Sequence, residues 1–170
     1  MTAVLLHRLD RWVREAAPLA ISLMVVIATV VPVRVPEYAF LAPGFVLMAV
    51  FYWTVHRPDL MRPWGAFVVG LFDDVLTGAP LGLNALVFVL MHGVIVAQHR
   101  FFRGKPFVLV WFAFAVIAFG AHTIASLLAL IAGGAPIEPS AMLVRYGLAV
   151  AMYPLAGWFL GRAQRAFLPA

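Results

Sequence analysis

The sequence predicts an all-α integral membrane protein of about six transmembrane helices. Of its 170 residues, 65% are hydrophobic and only 11% are charged, whereas about 25% of the residues in a typical soluble domain are charged. A spanning helix needs about 20 mostly apolar residues, so six helices occupy roughly 120 residues and leave only short loops. We therefore expect one membrane domain over residues 1–170 and no extramembrane domain.

Breaker residues divide the apolar sequence into six segments. The predicted spans cover approximately 17–33, 38–54, 64–77, 83–98, 107–131 and 140–161. Before them, apolar residues spaced along one helical face, with basic residues on the other, predict an interfacial cytoplasmic helix over 1–16. A basic topology signal without a helix explains these first residues equally well.

The basic residues predict the orientation of the spans. With six spans, ten of the twelve Lys and Arg residues fall on one side of the membrane, and Arg34 alone falls in a loop on the other side. Basic loops stay in the cytoplasm, so both termini are expected there. The net charge of +5 is then explained by topology and by contact with anionic lipids, and nothing in the sequence indicates nucleic-acid binding.

Three charged residues lie within predicted spans: Asp73, Asp74 and Arg145. Each costs about 2.5–3.5 kcal/mol on insertion scales, so each needs a partner or a function. A metal or proton site is one explanation for the aspartates. We favour a structural one, in which an acid at a helix end binds Arg145 or backbone amides.

Alternating topology puts these three residues at similar depth. We therefore predict an ion pair between Asp74 and Arg145 that ties the third span to the sixth. The alternative is that Arg145 extends its long side chain to the outer headgroups.

The histidines do not have the spacing of a metal site. His92 and His99 are seven residues apart and are expected to share a helical face, and His122 lies in mid-span with Ser126 four residues later. This spacing is wider than that of a typical zinc site, so hydrogen bonds between helices are the favoured role. The chain has no cysteine, and no order of nucleophile and base or phosphate-binding loop appears. We expect no catalytic residue, cofactor or metal.

The segment Gly70–Leu86, GLFDDVLTGAPLGLNAL, is the most distinctive in the chain. A short span ends in an acid, passes through T-G-x-P-L-G, and the next span opens with N-A-L. This pattern resembles the rod shape-determining protein MreD family, specifically over these residues and loosely elsewhere. The family's acid matches Asp74 best, which leaves the role of Asp73 open. The resemblance thus marks a structural or partner-interface motif, made of Asp73, Asp74, Gly78, Pro80, Leu81, Gly82 and Asn84.

The resemblance implies a non-enzymatic scaffold in the bacterial inner membrane. Such a protein binds MreC directly and works in the cell-elongation complex with the MreB filament, the RodA glycosyltransferase and its transpeptidase partner, supporting side-wall peptidoglycan synthesis and rod shape. It also implies a fold like the S components of energy-coupling-factor transporters.

Two alternatives to the scaffold remain open. One is a vitamin-binding transporter subunit with His92, His122, Asp74 and Arg145 around a pocket. The other is a small membrane enzyme that acts on a lipid phosphate.

The predicted orientation can be tested with reporters fused to the C-terminus. Because the basic residues hold that end in the cytoplasm, we expect a fused green fluorescent protein to fluoresce and a fused alkaline phosphatase to be inactive. Phosphatase activity at the C-terminus would mean that the number of spans is odd.

Overall fold

The computed structural model describes residues 16–29, 38–102, 104–133 and 138–167, and for 38–43 and 167 it describes the backbone alone. Within these ranges the chain is helical, without strands, which confirms the all-α prediction. The helices are α1 Ala16–Thr29, α2 Tyr38–His56, α3 Pro63–Thr77, α4 Leu83–Ala97, α5 His99–Phe102, α6 Phe107–Ile131 and α7 Pro139–Phe167. The predicted interfacial helix, apart from residue 16, and the turn around Arg34 lie outside the described residues.

The helices differ in their ability to cross a bilayer. α6 and α7 are long and apolar enough to do so, whereas α1, α4 and the apolar part of α2 are shorter. Helices α3 and α4 have 15 residues each, or about 22 Å of length, against about 30 Å of hydrocarbon. The number of spans stays a prediction, and the turn between α3 and α4 is a candidate for irregular backbone at membrane depth.

Helix α2 forms the centre of the described structure. Its residues 46–53 are all hydrophobic and all buried, so this stretch of α2 is enclosed by protein on every side. Phe51 packs edge-to-face on Phe114 of α6 and Tyr153 of α7, with ring centroids 5.1 and 5.6 Å apart. Phe114 and Tyr153 stack on each other at 4.3 Å. Three helices therefore meet in one aromatic cluster.

Two polar contacts join α7 to neighbouring helices. The Tyr52 hydroxyl donates to Gln164 Oε1 at 2.9 Å, which joins the C-terminal ends of α2 and α7. If successive spans cross the membrane in alternating directions, the second and the sixth span run the same way, so their C-terminal ends must lie on the same side. The Trp111 indole donates to the carbonyl of Val150 at 2.8 Å and joins α6 to α7. The cytoplasmic location of the termini stays a prediction.

The outer faces of α6 and α7 are apolar and exposed. Val108 and Phe112 on α6 are 67% and 68% exposed, and Leu155 and Phe159 on α7 are 62% and 64% exposed. Monomeric soluble proteins rarely carry contiguous apolar surfaces of this kind. Lipid is the solvent that suits them.

The predicted shared face of His92 and His99 is wrong. Helix α4 ends at Ala97, and Gln98 leaves the helical conformation before His99 opens the short helix α5. The seven-residue spacing therefore does not run along one helix. The expected shared face extended helical spacing past Gln98, although the predicted fourth span, 83–98, ends there.

Candidate functional site

The candidate site is the acidic turn, which we define as residues 73–85 between α3 and α4. Gly78 ends α3 with φ +71°, and the N–H groups of Gly78 and Ala79 both donate to the carbonyl of Asp74. Gly82 precedes α4 with φ +92°. Positive φ is readily available only to glycine, so the two glycines of T-G-x-P-L-G set the backbone of the turn.

The carboxylate of Asp74 caps helix α4. Its Oδ2 accepts a hydrogen bond from the N–H of Gly82 at 2.9 Å and a longer one from the N–H of Ala85 at 3.5 Å. Its Oδ1 accepts a hydrogen bond from the N–H of Asn84 at 3.0 Å. The first N–H groups of a helix lack partners within the helix, and Gly82, at the N-cap, has no side chain to supply one. Asp74 from the preceding helix does so, and its charge also suits the positive end of the α4 dipole.

Asp73 lies beside this cap but is only partly satisfied. Its Oδ2 accepts Nδ2 of Asn84 at 2.9 Å, while its Oδ1 is buried without a hydrogen-bond partner. The whole residue is 2% exposed. Asn84 therefore touches both acids, one through its backbone and one through its side chain. The N-A-L pattern had placed Asn84 in the motif, but its double role depends on the folded turn.

Close packing of α3 on α4 holds the turn in place. A β-carbon on Gly70 would lie 2.4 Å from the α-carbon of Ala85 and 2.6 Å from its backbone nitrogen. Real β-carbons do not approach backbone atoms so closely. Small residues permit such approaches between membrane helices, so Gly70 sets the distance at which Asp74 reaches the start of α4.

A cavity of about 310 Å³ opens beside Asp73. Its polar lining comes from Asp73, Thr77, Asn84, His122, Ser126 and Arg145. Apolar side chains of α2, α4 and α6 form most of the remaining wall. The structure thus brings Arg145 of α7 and Asp73 of α3 to one cavity, although they are far apart in sequence.

The structure places Asp73, and not Asp74, on the cavity wall with Arg145. Both oxygens of Asp74 face backbone N–H groups of α4. The ion pair between Asp74 and Arg145 stays a prediction.

The two histidines of α4 and α6 have separate settings. His92 is buried, and its Nε2 lies 2.6 Å from the carbonyl of Met61 in the loop before α3. His122 lines the cavity, with Nδ1 2.8 Å from the carbonyl of Ala118. His92 and Asp74 do not border this cavity, so only His122 and Arg145, of the four residues expected around a vitamin pocket, meet there. Over the described ranges, no three His, Asp or Glu side chains form a metal-ligand group.

Comparison with known families identifies the chain. A family model described as rod shape-determining protein MreD matches residues 12–163. The chain belongs to the MreD family. The match covers nearly the whole chain, so it confirms the resemblance that rested on Gly70–Leu86. No curated protein and no solved structure matches the chain.

Membership of the MreD family implies a role in determining rod shape. The family is membrane-associated, in agreement with the exposed apolar faces of α6 and α7. It is a family of shape-determining structural proteins. Within the described residues, the acidic turn positions α3 against α4 through the Asp74 cap and the close approach at Gly70.

The close approach at Gly70 can be tested by adding a single methyl group. Gly70→Ala forces the new β-carbon against the backbone of α4, and overpacking of this kind costs about 1–3 kcal/mol. We expect a lower yield of monodisperse protein and a lower melting temperature in detergent. Gly93→Ala on α4 is the matched control, since nothing lies within 4 Å of its added β-carbon. Equal behaviour of the two variants would contradict the close approach.

The role of Asp74 can be separated from that of Arg145 by a double-mutant cycle. Asp74→Asn replaces an accepting oxygen with a donor that faces backbone N–H groups, and a hydrogen bond to a charged group contributes about 1.5–3 kcal/mol. We expect a clear loss of folded protein, measured as detergent-stable yield. The predicted ion pair requires that adding Arg145→Gln restores part of the loss. Strictly additive losses would rule out the pair and leave the helix cap as the role of Asp74.

Proposed function

We propose that this chain is a non-enzymatic scaffold of the bacterial cell-elongation complex. In this proposal it crosses the inner membrane several times and binds MreC directly. Through the complex it works with the MreB filament, RodA and the transpeptidase partner of RodA to support side-wall peptidoglycan synthesis. The match to the MreD family over residues 12–163 carries the proposal.

The surface of the described helices supports a role in assembly. Large apolar side chains cover the outside of α6 and α7, and helices packed together in lipid associate through shape and small residues more than through hydrophobic burial. A membrane scaffold can bind its partners through such faces and through the short loops between its helices.

One groove offers a specific contact surface. It has a volume of about 420 Å³ and lies between α1, α2 and α7. Small side chains, Ala28, Ala49 and Ala156, alternate there with larger ones such as Trp158 and Phe159. Small residues let a partner helix approach the backbone closely, so we assign the transmembrane helix of MreC to this groove.

Affinity purification tests the proposal. The tagged full chain, extracted from membranes in mild detergent, should retain MreC, and depletion of the chain should turn rod-shaped cells round. Recovery of an energising ATPase, or tight binding of a vitamin with normal cell shape, would favour transport and contradict the scaffold.

The groove can be tested with matched alanines of α7. Ala156→Leu fills the groove and should reduce recovery of MreC, because the added bulk prevents close helix approach. Ala151→Leu makes the same change at an exposed position outside the groove and should leave recovery unchanged. Equal recovery of MreC with both variants would move the interface elsewhere on the chain.

A further inference from the structure

The cavity beside Asp73 is lined by charged groups of both signs, Asp73 and Arg145, whose presence in one cavity the scaffold function does not explain. Asp73 Oδ1 is a buried acceptor without a partner, on a residue that is 2% exposed. Leaving a buried polar group unsatisfied costs about 1–3 kcal/mol, and more for a charged group. A ligand that donates a hydrogen bond to Asp73 would remove this cost.

Most other polar groups of the cavity have already used their donors. The Thr77 hydroxyl donates to the carbonyl of Asp73 at 2.6 Å, and the Ser126 hydroxyl donates to the carbonyl of His122 at 2.8 Å. Asn84 donates to Asp73. The side-chain oxygens of Thr77, Ser126 and Asn84 remain as acceptors, and Asn84 keeps one further amide N–H. Acceptors thus outnumber donors in this part of the cavity, which suits a ligand group that is rich in donors.

Arg145 brings positive charge to the same cavity. A guanidinium has five N–H donors, so it has capacity for a ligand anion in addition to its contacts within the protein. An acidic side chain at Asp73 and a basic one at Arg145 match a zwitterion, which carries a cationic and an anionic group. The remaining lining is mainly apolar, and the volume of about 310 Å³ lies at the small end of ligand sites.

We propose that the cavity between α3, α4, α6 and α7 binds a small zwitterion whose primary ammonium group contacts Asp73 and whose anionic group contacts Arg145. The phosphoethanolamine group is the matching chemistry, either as the headgroup of a membrane lipid or as a free molecule. The ammonium must carry N–H donors, because Asp73 offers it an acceptor oxygen, Oδ1. A choline group, which has the same charge but no N–H, does not fit. This inference does not depend on MreC binding.

The test measures binding to the purified full chain in detergent by thermal shift and native mass spectrometry. The probes are dihexanoyl-phosphatidylethanolamine and free phosphoethanolamine, each compared with its choline counterpart. A ligand that binds the folded state raises the melting temperature, and we expect this from at least one ethanolamine probe. Binding of the lipid alone identifies a headgroup site, and binding of both identifies a site for the free zwitterion. Failure of both ethanolamine probes, or equal effects of the choline probes, would overturn the proposal.

Two pairs of variants locate the site. Asp73→Asn should weaken ethanolamine binding roughly 10–100-fold, the equivalent of one hydrogen bond to a charged group, while Asp59→Asn in the exposed α2–α3 loop should not. Ala125→Met fills the cavity and leaves Asp73 intact, so it should abolish binding, while the exposed Ala151→Met should not. If Asp73→Asn fails to fold, the alanine pair decides the outcome. Unchanged binding by Ala125→Met would overturn the proposal.

Discussion

The cap that Asp74 provides for helix α4 is the interaction on which the rest of the site depends. In an apolar environment, water is not available to satisfy the first N–H groups of a helix. Gly82 permits the turn but offers no capping side chain, so a carboxylate one helix earlier supplies the acceptors. The cap fixes where α4 begins, and thereby fixes the position of Asn84 and of the cavity wall that follows it.

The cap in turn requires a close approach of backbones. Asp74 reaches the N–H groups of α4 only because Gly70, one helical turn earlier, lets α3 lie against Ala85. The two features are coupled: an acid without the glycine would stand too far away, and the glycine without the acid would leave N–H groups unsatisfied. This coupling explains why an acid, two turn glycines and an asparagine occur together in an otherwise apolar segment.

Asp73 and Asp74 show how adjacent residues acquire different roles. Successive positions on a helix point about 100° apart, so Asp74 faces the start of α4 while Asp73 faces the cavity shared with Arg145 and His122. Both carboxylate oxygens of Asp74 are engaged in capping α4. Asp73 retains an unused acceptor, and an unused acceptor in the same cavity as a cation can hold a polar molecule between helices.

The sequence by itself determined the helical class, the positions of most helices and the family. Long apolar segments and strong breakers fix these features locally. Gly78 and Gly82 indicate the turn, because no other residue readily adopts positive φ. The tertiary structure decided how the polar residues are distributed. Asp74 caps α4, whereas Asp73 lies on the cavity wall with Arg145. His92 contacts the carbonyl of Met61, and His99 lies beyond the end of α4. These outcomes depend on helix rotation and on approach distances between segments remote in sequence, which hydrophobic periodicity does not encode.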